Sequence, residues 1–140
     1  MNSIEKRNKY AYLMSKLKKA TYNEFYYEAI FIEYAIIEDR TESILRHADV
    51  KYDEKIKLEQ KLNKIKSNPK FCNKYCKKHF NDELIEEVRK WKYDRNNLIH
   101  SLVKCNYDEE QIKNIALYGE CIAKKVANKS KLINNYFDNL

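Results

Sequence analysis

Residues 108–136, DEEQIKNIALYGECIAKKVANKSKLINNY, carry apolar side chains at helical spacing over about eight turns. Asp108 and Gln111 are spaced as a capping box, so we expect this helix to begin just after Asp108. Gly119 lies on the apolar face, where its missing side chain would permit a close approach by a second helix. A long amphipathic helix must be covered by other helices, which predicts an all-α bundle.

The composition of the chain favours the same fold class. Its 140 residues include only one glycine and one proline, whereas all-β and doubly wound folds need a tight turn about every ten residues. Phosphate-binding loops need several glycines close together, so nucleotide enzymes of that type are excluded as well. With 44% hydrophobic residues, the chain can fill one core, and we expect a single domain over residues 1–140.

Apolar periodicity along the rest of the chain predicts four more helices. We expect them at about residues 4–18, from a cap at Thr21 or Asn23 to His47, at about 53–66 and at about 82–104, with a short segment over 71–80. The predicted fold is therefore a compact antiparallel bundle of four to five main helices.

The N-terminal residues, MNSIEKRNKY, contain no apolar run, and the longest apolar run is Ala29–Ile32. A signal sequence or membrane span needs a much longer run, so we expect a cytoplasmic protein that does not contact a membrane. The four cysteines are Cys72, Cys76, Cys105 and Cys121. Free thiols are expected of them, because disulfides are rare in a reducing compartment.

One group of residues has the composition of a metal site. Cys72, Cys76 and His79 would share one side of a helix. Their spacing differs from the C-x2-C of zinc sites, and no fourth ligand is evident. We therefore expect half-buried thiols here, with no metal and no cofactor.

The excess positive charge of the chain is concentrated in one segment. The formal net charge is +7, and residues 51–79 contain ten lysines against three acidic residues. Such a segment can hold a polyanion through phosphate contacts and counterion release. It can equally be the solvated face of a Lys-rich helix, and both interpretations stay open. If RNA binds here, Lys61, Lys64 and Lys66 are the expected contacts.

Arg95 occupies a position in the apolar stripe of its predicted helix, between Trp91 and Leu98. An unpaired buried guanidinium is costly, so Arg95 must face a groove or a carboxylate. Asn96 and His100 are four residues apart and share one helix face. Arg95 and His100 are about 140° apart and converge only at a groove or a frayed helix end.

The segment RNNLIH, residues 95–100, resembles the motif of the HEPN superfamily. These are compact all-helical domains whose nuclease members carry an Arg, four to six residues and then a His, often with a polar residue after the Arg. The resemblance implies a metal-independent endoribonuclease in which Arg95, Asn96 and His100 are catalytic. It also implies a homodimer whose two motifs face each other, and a toxin–antitoxin or phage-defence setting.

A second pair, Arg40 and His47, also fits the spacing, with six intervening residues. It is less favoured, because Thr41 follows the arginine and HEPN motifs usually lie in a late helix. Possible accessory residues of the site are Glu38, Asp39, Arg40, His47 and Tyr93. Glu38 or Asp39 would orient Arg95, Arg40 would contact a phosphate, and Tyr93 would stack on an unpaired base. For most of the charged ones, surface ion pairs are the favoured interpretation.

The residue types suit RNA cleavage without a metal ion. The reaction needs a base for the 2′-hydroxyl, an acid for the 5′-oxygen and a cation beside the phosphorane. Histidine, with an ordinary pKa of about 6.5, can act as either base or acid. One motif has one histidine, so we expect transesterification at a composite site across the homodimer, with RNA as substrate and an antitoxin or regulatory protein as a further partner. The alternative is a non-catalytic helical module that binds nucleic acid or a protein.

Overall fold

The structure is a computed structural model that describes residues 2–104 and 107–140. These residues form six α-helices and a 3-10 turn, and no strand occurs among them, which confirms the all-α prediction. The helices are α1 (Ser3–Tyr22), α2 (Tyr26–His47), α3 (Leu58–Ser67), α4 (Lys74–His79), α5 (Asp82–His100) and α6 (Glu109–Asp138), with the 3-10 turn at Pro69–Phe71. Cys105, expected to be a free thiol, lies outside the described residues.

The predicted start of the last helix is confirmed. The Asp108 carboxylate accepts a hydrogen bond from the Gln111 backbone N–H at 2.7 Å, and the Gln111 side chain accepts one from the Asp108 N–H at 2.9 Å. The start predicted for α5, at about residue 82, is confirmed too, and the Asn81 side chain caps the helix by accepting from the Leu84 N–H at 2.8 Å.

Three other predicted helix ends are wrong. Neither Thr21 nor Asn23 caps α2, because α1 continues to Tyr22 and α2 begins after Phe25 without a side-chain cap. Helix α3 begins at Leu58 instead of residue 53, because Asp53 forms a turn in which its side chain accepts from the Lys55 N–H at 2.9 Å. Helix α5 ends at His100, and residues 101–104 form turns.

The two longest helices, α2 and α6, run parallel and side by side. At their C-terminal ends, His47 Nδ1 lies 2.7 Å from Asp138 Oδ1. One turn earlier, the Asn134 amide donates to Ser43 Oγ at 2.9 Å. Helices joined by a short turn, such as α1 and α2, are antiparallel as predicted, whereas α2 and α6 can be parallel because α3 to α5 return the chain. Both C-terminal ends therefore meet at one end of the bundle.

The core lies where α2, α5 and α6 meet. Trp91 of α5 is fully buried, and its indole N–H donates to the Ile115 carbonyl at 3.0 Å. Gly119 faces Trp91 and Glu33 so closely that a Cβ atom would collide with both side chains. The predicted close helix approach at Gly119 is thus confirmed.

Glu33 is an ionisable side chain inside this core. It is fully buried, and neither carboxylate oxygen has a hydrogen-bond partner among the described residues. Burial, reinforced by the nearby Glu120, raises the pKa of Glu33 to about 10. Glu33 therefore stays neutral at pH 7 and acts as a core residue.

Candidate functional site

Arg95 is accommodated by an aromatic ring. Its guanidinium carbon lies 3.9 Å from the centre of the Tyr34 ring on α2, and its Nη1 donates to Asn96 Oδ1 at 2.9 Å. Its Nε is buried without a partner in the described part of the chain. Asp39, one of the carboxylates predicted to orient Arg95, binds Arg40 instead, at 2.7 Å. The arginine interrupts the apolar stripe because it stacks on Tyr34.

Glu38 contributes to the electrostatics around Tyr34. Burial and the Glu38 carboxylate raise the pKa of Tyr34, while the Arg95 guanidinium acts in the opposite direction. Glu38 forms no ion pair with Arg95 among the described residues. Its predicted role in orienting that arginine is therefore not seen.

His100 is the last residue of α5 and is exposed. No hydrogen bond joins it to Arg95 in residues 2–104, and a continuous helix holds the two about 140° apart. The structure thus brings Arg95 and Asn96 together but not His100. Large apolar side chains stand exposed around this helix end: Tyr93, Ile99, Leu102 and Val103.

The C-terminal ends of α2 and α6, together with the start of α1, enclose an open groove of about 900 Å³, here called the basic groove. Its lining residues are Ser3, Lys6, Arg7, Tyr10, Arg40, Ser43, Arg46, His47, Ala127, Asn128, Lys131, Asn134, Asn135 and Asp138. The less favoured pair, Arg40 and His47, therefore lies in this groove.

His47 is held by a carboxylate from another helix. Its Nδ1 faces Asp138 Oδ1 at 2.7 Å, so Nε2 is the ring nitrogen left to exchange a proton with a ligand. Both side chains are partly exposed and accessible from the groove. This is the geometry in which a carboxylate fixes the orientation of a histidine that acts as an acid or a base.

Arg40 lies between a carboxylate and an aromatic ring. It binds the neighbouring Asp39, and its guanidinium carbon is 5.7 Å from the centre of the Tyr10 ring. Burial raises the pKa of Tyr10, and Arg40 partly offsets this effect. These contacts hold the Arg40 guanidinium at the groove wall in the structure.

The charges of the basic groove are unevenly balanced. Five lysine and arginine side chains line it against one carboxylate, that of Asp138. Lys6, Arg7 and Lys131 form no ion pair within residues 2–104 and 107–140. Cations without partners in an open groove attract phosphate groups.

The Lys-rich segment is partly structural. Lys61 is only 4% exposed, and its ammonium lies 3.4 Å from the Glu38 carbonyl and 3.9 Å from the Glu42 carboxylate. Lys61 is thus a poor RNA contact, because α3 packs that face on α2. Lys64 is half-buried and Lys66 is exposed, so these two predicted contacts remain accessible.

The cysteine and histidine group has no metal-site geometry. Cys72 is an exposed free thiol and Cys76 a buried one. His79 packs against Tyr75, with ring centres 4.5 Å apart, and lies 3.5 Å from the Lys129 ammonium. Burial, Lys129 and Lys78 lower its pKa. Among the described residues, no three metal-binding side chains cluster.

The prediction of the site missed the residues that other helices supply. Lys6 and Arg7 come from α1, and Lys131 and Asp138 come from α6. Asp138 and Lys131 are seven residues apart, and this spacing alone places both on one face of their helix. It points to a shared site with His47 only once α2 and α6 are known to be parallel.

The comparisons with known proteins give no relative. No family model, curated protein or solved structure matches the chain. No helix of the described residues is long and apolar enough to cross a bilayer. The HEPN resemblance therefore rests on the Arg–His spacing within an all-α fold, and it stays a prediction.

Proposed function

We propose that the chain is an endoribonuclease that binds RNA in the basic groove and cleaves it without a metal ion. The observation that supports this function best is the His47–Asp138 pair, 2.7 Å apart, inside a groove whose walls carry five cationic side chains. A histidine held by a carboxylate beside phosphate-attracting cations supplies the base and the charge stabilisation that RNA transesterification needs.

Each part of the groove has its own role in this proposal. Lys6, Arg7 and Lys131 bind backbone phosphates, since their charges are not used in ion pairs among the described residues. His47 takes the proton of the 2′-hydroxyl through Nε2, and Asp138 orients the ring. Arg40 stabilises the charge that develops on the phosphorane.

The second proton transfer requires another group, because His47 is the one histidine in the basic groove. We assign it to a second copy of the chain, as the HEPN resemblance implies, so that the active species is a homodimer. Action as a toxin or phage-defence effector, controlled by an antitoxin or regulatory protein, follows from the resemblance alone.

A second candidate keeps Arg95, Asn96 and His100 as the composite site. Its support is the set of exposed apolar residues around the end of α5, which could bury their surface in a two-fold interface. In such a dimer, Arg95 of one copy would meet His100 of the other, which a single helix does not permit.

One assay tests both candidates. Wild type, His47→Ala and His100→Ala are incubated with single-stranded RNA in EDTA, and the product ends are identified by mass spectrometry. Transesterification gives 2′,3′-cyclic phosphates, and an otherwise identical substrate with 2′-deoxyribose at the cleaved position should stay intact. His47→Ala should lower the rate by roughly 10²–10⁴, whereas His100→Ala should remain within a few-fold of wild type.

The other outcomes are equally informative. Loss of activity in His100→Ala alone would assign the site to the end of α5. RNA binding by wild type without any cleavage would contradict the enzyme and support the alternative, a non-catalytic binding module.

A further inference from the structure

A second groove, of about 350 Å³, lies at the opposite end of the bundle, where the N-terminal ends of α2 and α6 meet. We call it the acidic groove. Its lining residues are Glu24, Phe25, Tyr26, Tyr27, Glu28, Glu109 and Ile112. Tyr26 and Ile112 are buried and form its floor.

Aromatic side chains stand exposed beside this floor. Phe25 is 59% exposed and Tyr27 47%. Phe31, one turn after Tyr27 on the same face of α2, is 72% exposed. Aromatic residues are enriched at the centres of protein interfaces, and a group of them left in water marks a surface that a partner covers.

The charges of the acidic groove have one sign. Its three charged residues, Glu24, Glu28 and Glu109, are all acidic, in a chain with 28 basic and 21 acidic residues. None of the three forms an ion pair within residues 2–104 and 107–140. Glu28 and Glu109 lie in the first turns of α2 and α6, where they also offset the helix dipoles, whereas Glu24 precedes α2.

We propose that the acidic groove is the docking site for a basic, amphipathic segment of another protein. Apolar side chains of that segment would cover Phe25 and Tyr27, and its lysines or arginines would reach the three glutamates. Nucleic acid and anionic membranes are disfavoured, because the groove carries their sign of charge. A second copy related by a two-fold axis would set the same glutamates against each other.

This docking site is independent of the proposed RNA chemistry. The two grooves lie at opposite ends of α2, a helix of 22 residues, which is about 33 Å long. A segment bound in the acidic groove therefore leaves the basic groove open.

The test uses two synthetic amphipathic peptides of equal length and identical apolar positions, one with lysine and one with glutamate at the polar positions. The full ¹⁵N-labelled chain is titrated with each, and amide chemical shifts report where binding occurs. The lysine peptide should shift resonances of Phe25, Tyr27 and Ile112, and the glutamate peptide should not.

A matched pair of variants separates local from long-range electrostatics. The triple change Glu24→Gln, Glu28→Gln and Glu109→Gln should weaken binding of the lysine peptide at least tenfold. The control Glu5→Gln, Glu54→Gln and Glu83→Gln alters net charge equally and should change binding less than threefold, because these exposed glutamates do not line the groove. Phe25→Ala should also weaken binding of the lysine peptide, although it leaves the net charge of the chain unchanged.

Several results would overturn the proposal. The first is that neither peptide shifts the amide resonances of the acidic groove. The second is that both peptides bind equally well, and the third is that the two triple variants weaken binding of the lysine peptide equally. Sedimentation of the chain without peptide tests whether a second copy of the chain occupies the groove instead. Self-association that disappears in the Glu24, Glu28 and Glu109 variant would mean that a second copy occupies the groove.

Discussion

The two Arg–His pairs have similar spacing in the sequence but different surroundings in the fold. Arg40 and His47 both line an open groove, and His47 is held by Asp138 of α6. Arg95 stacks on Tyr34 in the α2–α5 interface, while His100 is exposed at the end of its helix. The first pair and its orienting carboxylate come together in one groove of a single chain and need a second copy only for the second proton transfer. The second pair does not meet within one chain at all.

Helix geometry explains part of this difference. Seven residues of α-helix return to within about 20° of the same direction, whereas five residues end about 140° away. Arg40 and His47 therefore share one side of α2, and Arg95 and His100 do not share a side of α5. The rest of the difference comes from other helices, because α1 and α6 supply three of the five cations around His47 and the carboxylate that holds it. Spacing in one helix cannot provide those groups.

The largest expected difference is in the cleavage rate of the two arginine variants. Arg40→Ala should lower kcat by roughly 10²–10³, the effect of removing one group that stabilises transition-state charge. Arg95→Ala should leave kcat within a few-fold, because its guanidinium is used in stacking on Tyr34. Single-turnover kinetics on a fluorescent RNA measure both, and the reverse ranking would restore the α5 motif as the site.

The next effect concerns Glu33, the carboxyl group buried in the core against Gly119. Glu33 has a pKa of about 10 in the folded state and of 4.5 ordinarily. At a pH between these two values, it is protonated in the folded state and ionised in the unfolded state. The free energy of unfolding is therefore highest below pH 4.5 and falls as the pH rises to about 10, by up to about 1.4 kcal/mol per pH unit.

Glu33→Gln should remove this slope. Urea denaturation of both proteins from about pH 6 to about pH 8 measures it, since the variant should gain stability relative to wild type as the pH rises. A constant difference between the two proteins would show that Glu33 is ionised in the folded state.

A smaller effect is expected on RNA affinity. Lys6→Gln, Arg7→Gln and Lys131→Gln together should weaken binding and flatten its salt dependence by about 0.7 in slope for each phosphate that is no longer neutralised. The matched variant, in which Lys61, Lys64 and Lys66 become Gln, removes equal charge. Its slope should change less, because Lys61 is buried against α2. Equal slopes would mean that RNA runs over the Lys-rich segment as well.

The smallest expected effect is on the free energy of unfolding, in which the Arg95–Tyr34 and Arg40–Tyr10 contacts should differ. Tyr34→Leu should lower the free energy of unfolding by about 0.5–1 kcal/mol beyond the change in packing, because the ring lies under Arg95 at 3.9 Å. Tyr10→Leu should cost less, since Arg40 is 5.7 Å from that ring and also binds Asp39. Thermal or chemical unfolding of each variant with and without its arginine gives the coupling energies.

Local signals in the sequence predicted much of the fold. The single glycine, the apolar periodicity and the Asp108–Gln111 box were sufficient for the all-α class and for the start of α6. The start of α3 was predicted wrongly because Asp53 forms a turn with Lys55. Apolar periodicity does not distinguish such a turn from the first turn of a helix. The partner of Arg95 was predicted wrongly: a groove or a carboxylate was expected, and the ring of Tyr34 takes that place instead. Cation–π contacts leave no pattern in the sequence of one helix.

The site was harder to predict than the fold. His47 and Arg40 were noted from their spacing, but Asp138 is 91 residues away from His47. No local pattern connects positions so far apart. Their meeting depends on the parallel packing of α2 and α6, which follows from how α3 to α5 return the chain.

The parallel packing of α2 and α6 also has a consequence for the order of folding. The contacts of Ser43 with Asn134 and of His47 with Asp138 each join residues 91 positions apart, so closing them costs more chain entropy than closing the α1–α2 turn. Contacts of such high sequence separation slow folding of helical domains. We expect the helical hairpin of α1 and α2 to form early and the basic groove to assemble only when α6 docks. Refolding followed by hydrogen exchange should therefore protect the amides of α2 before those of α6.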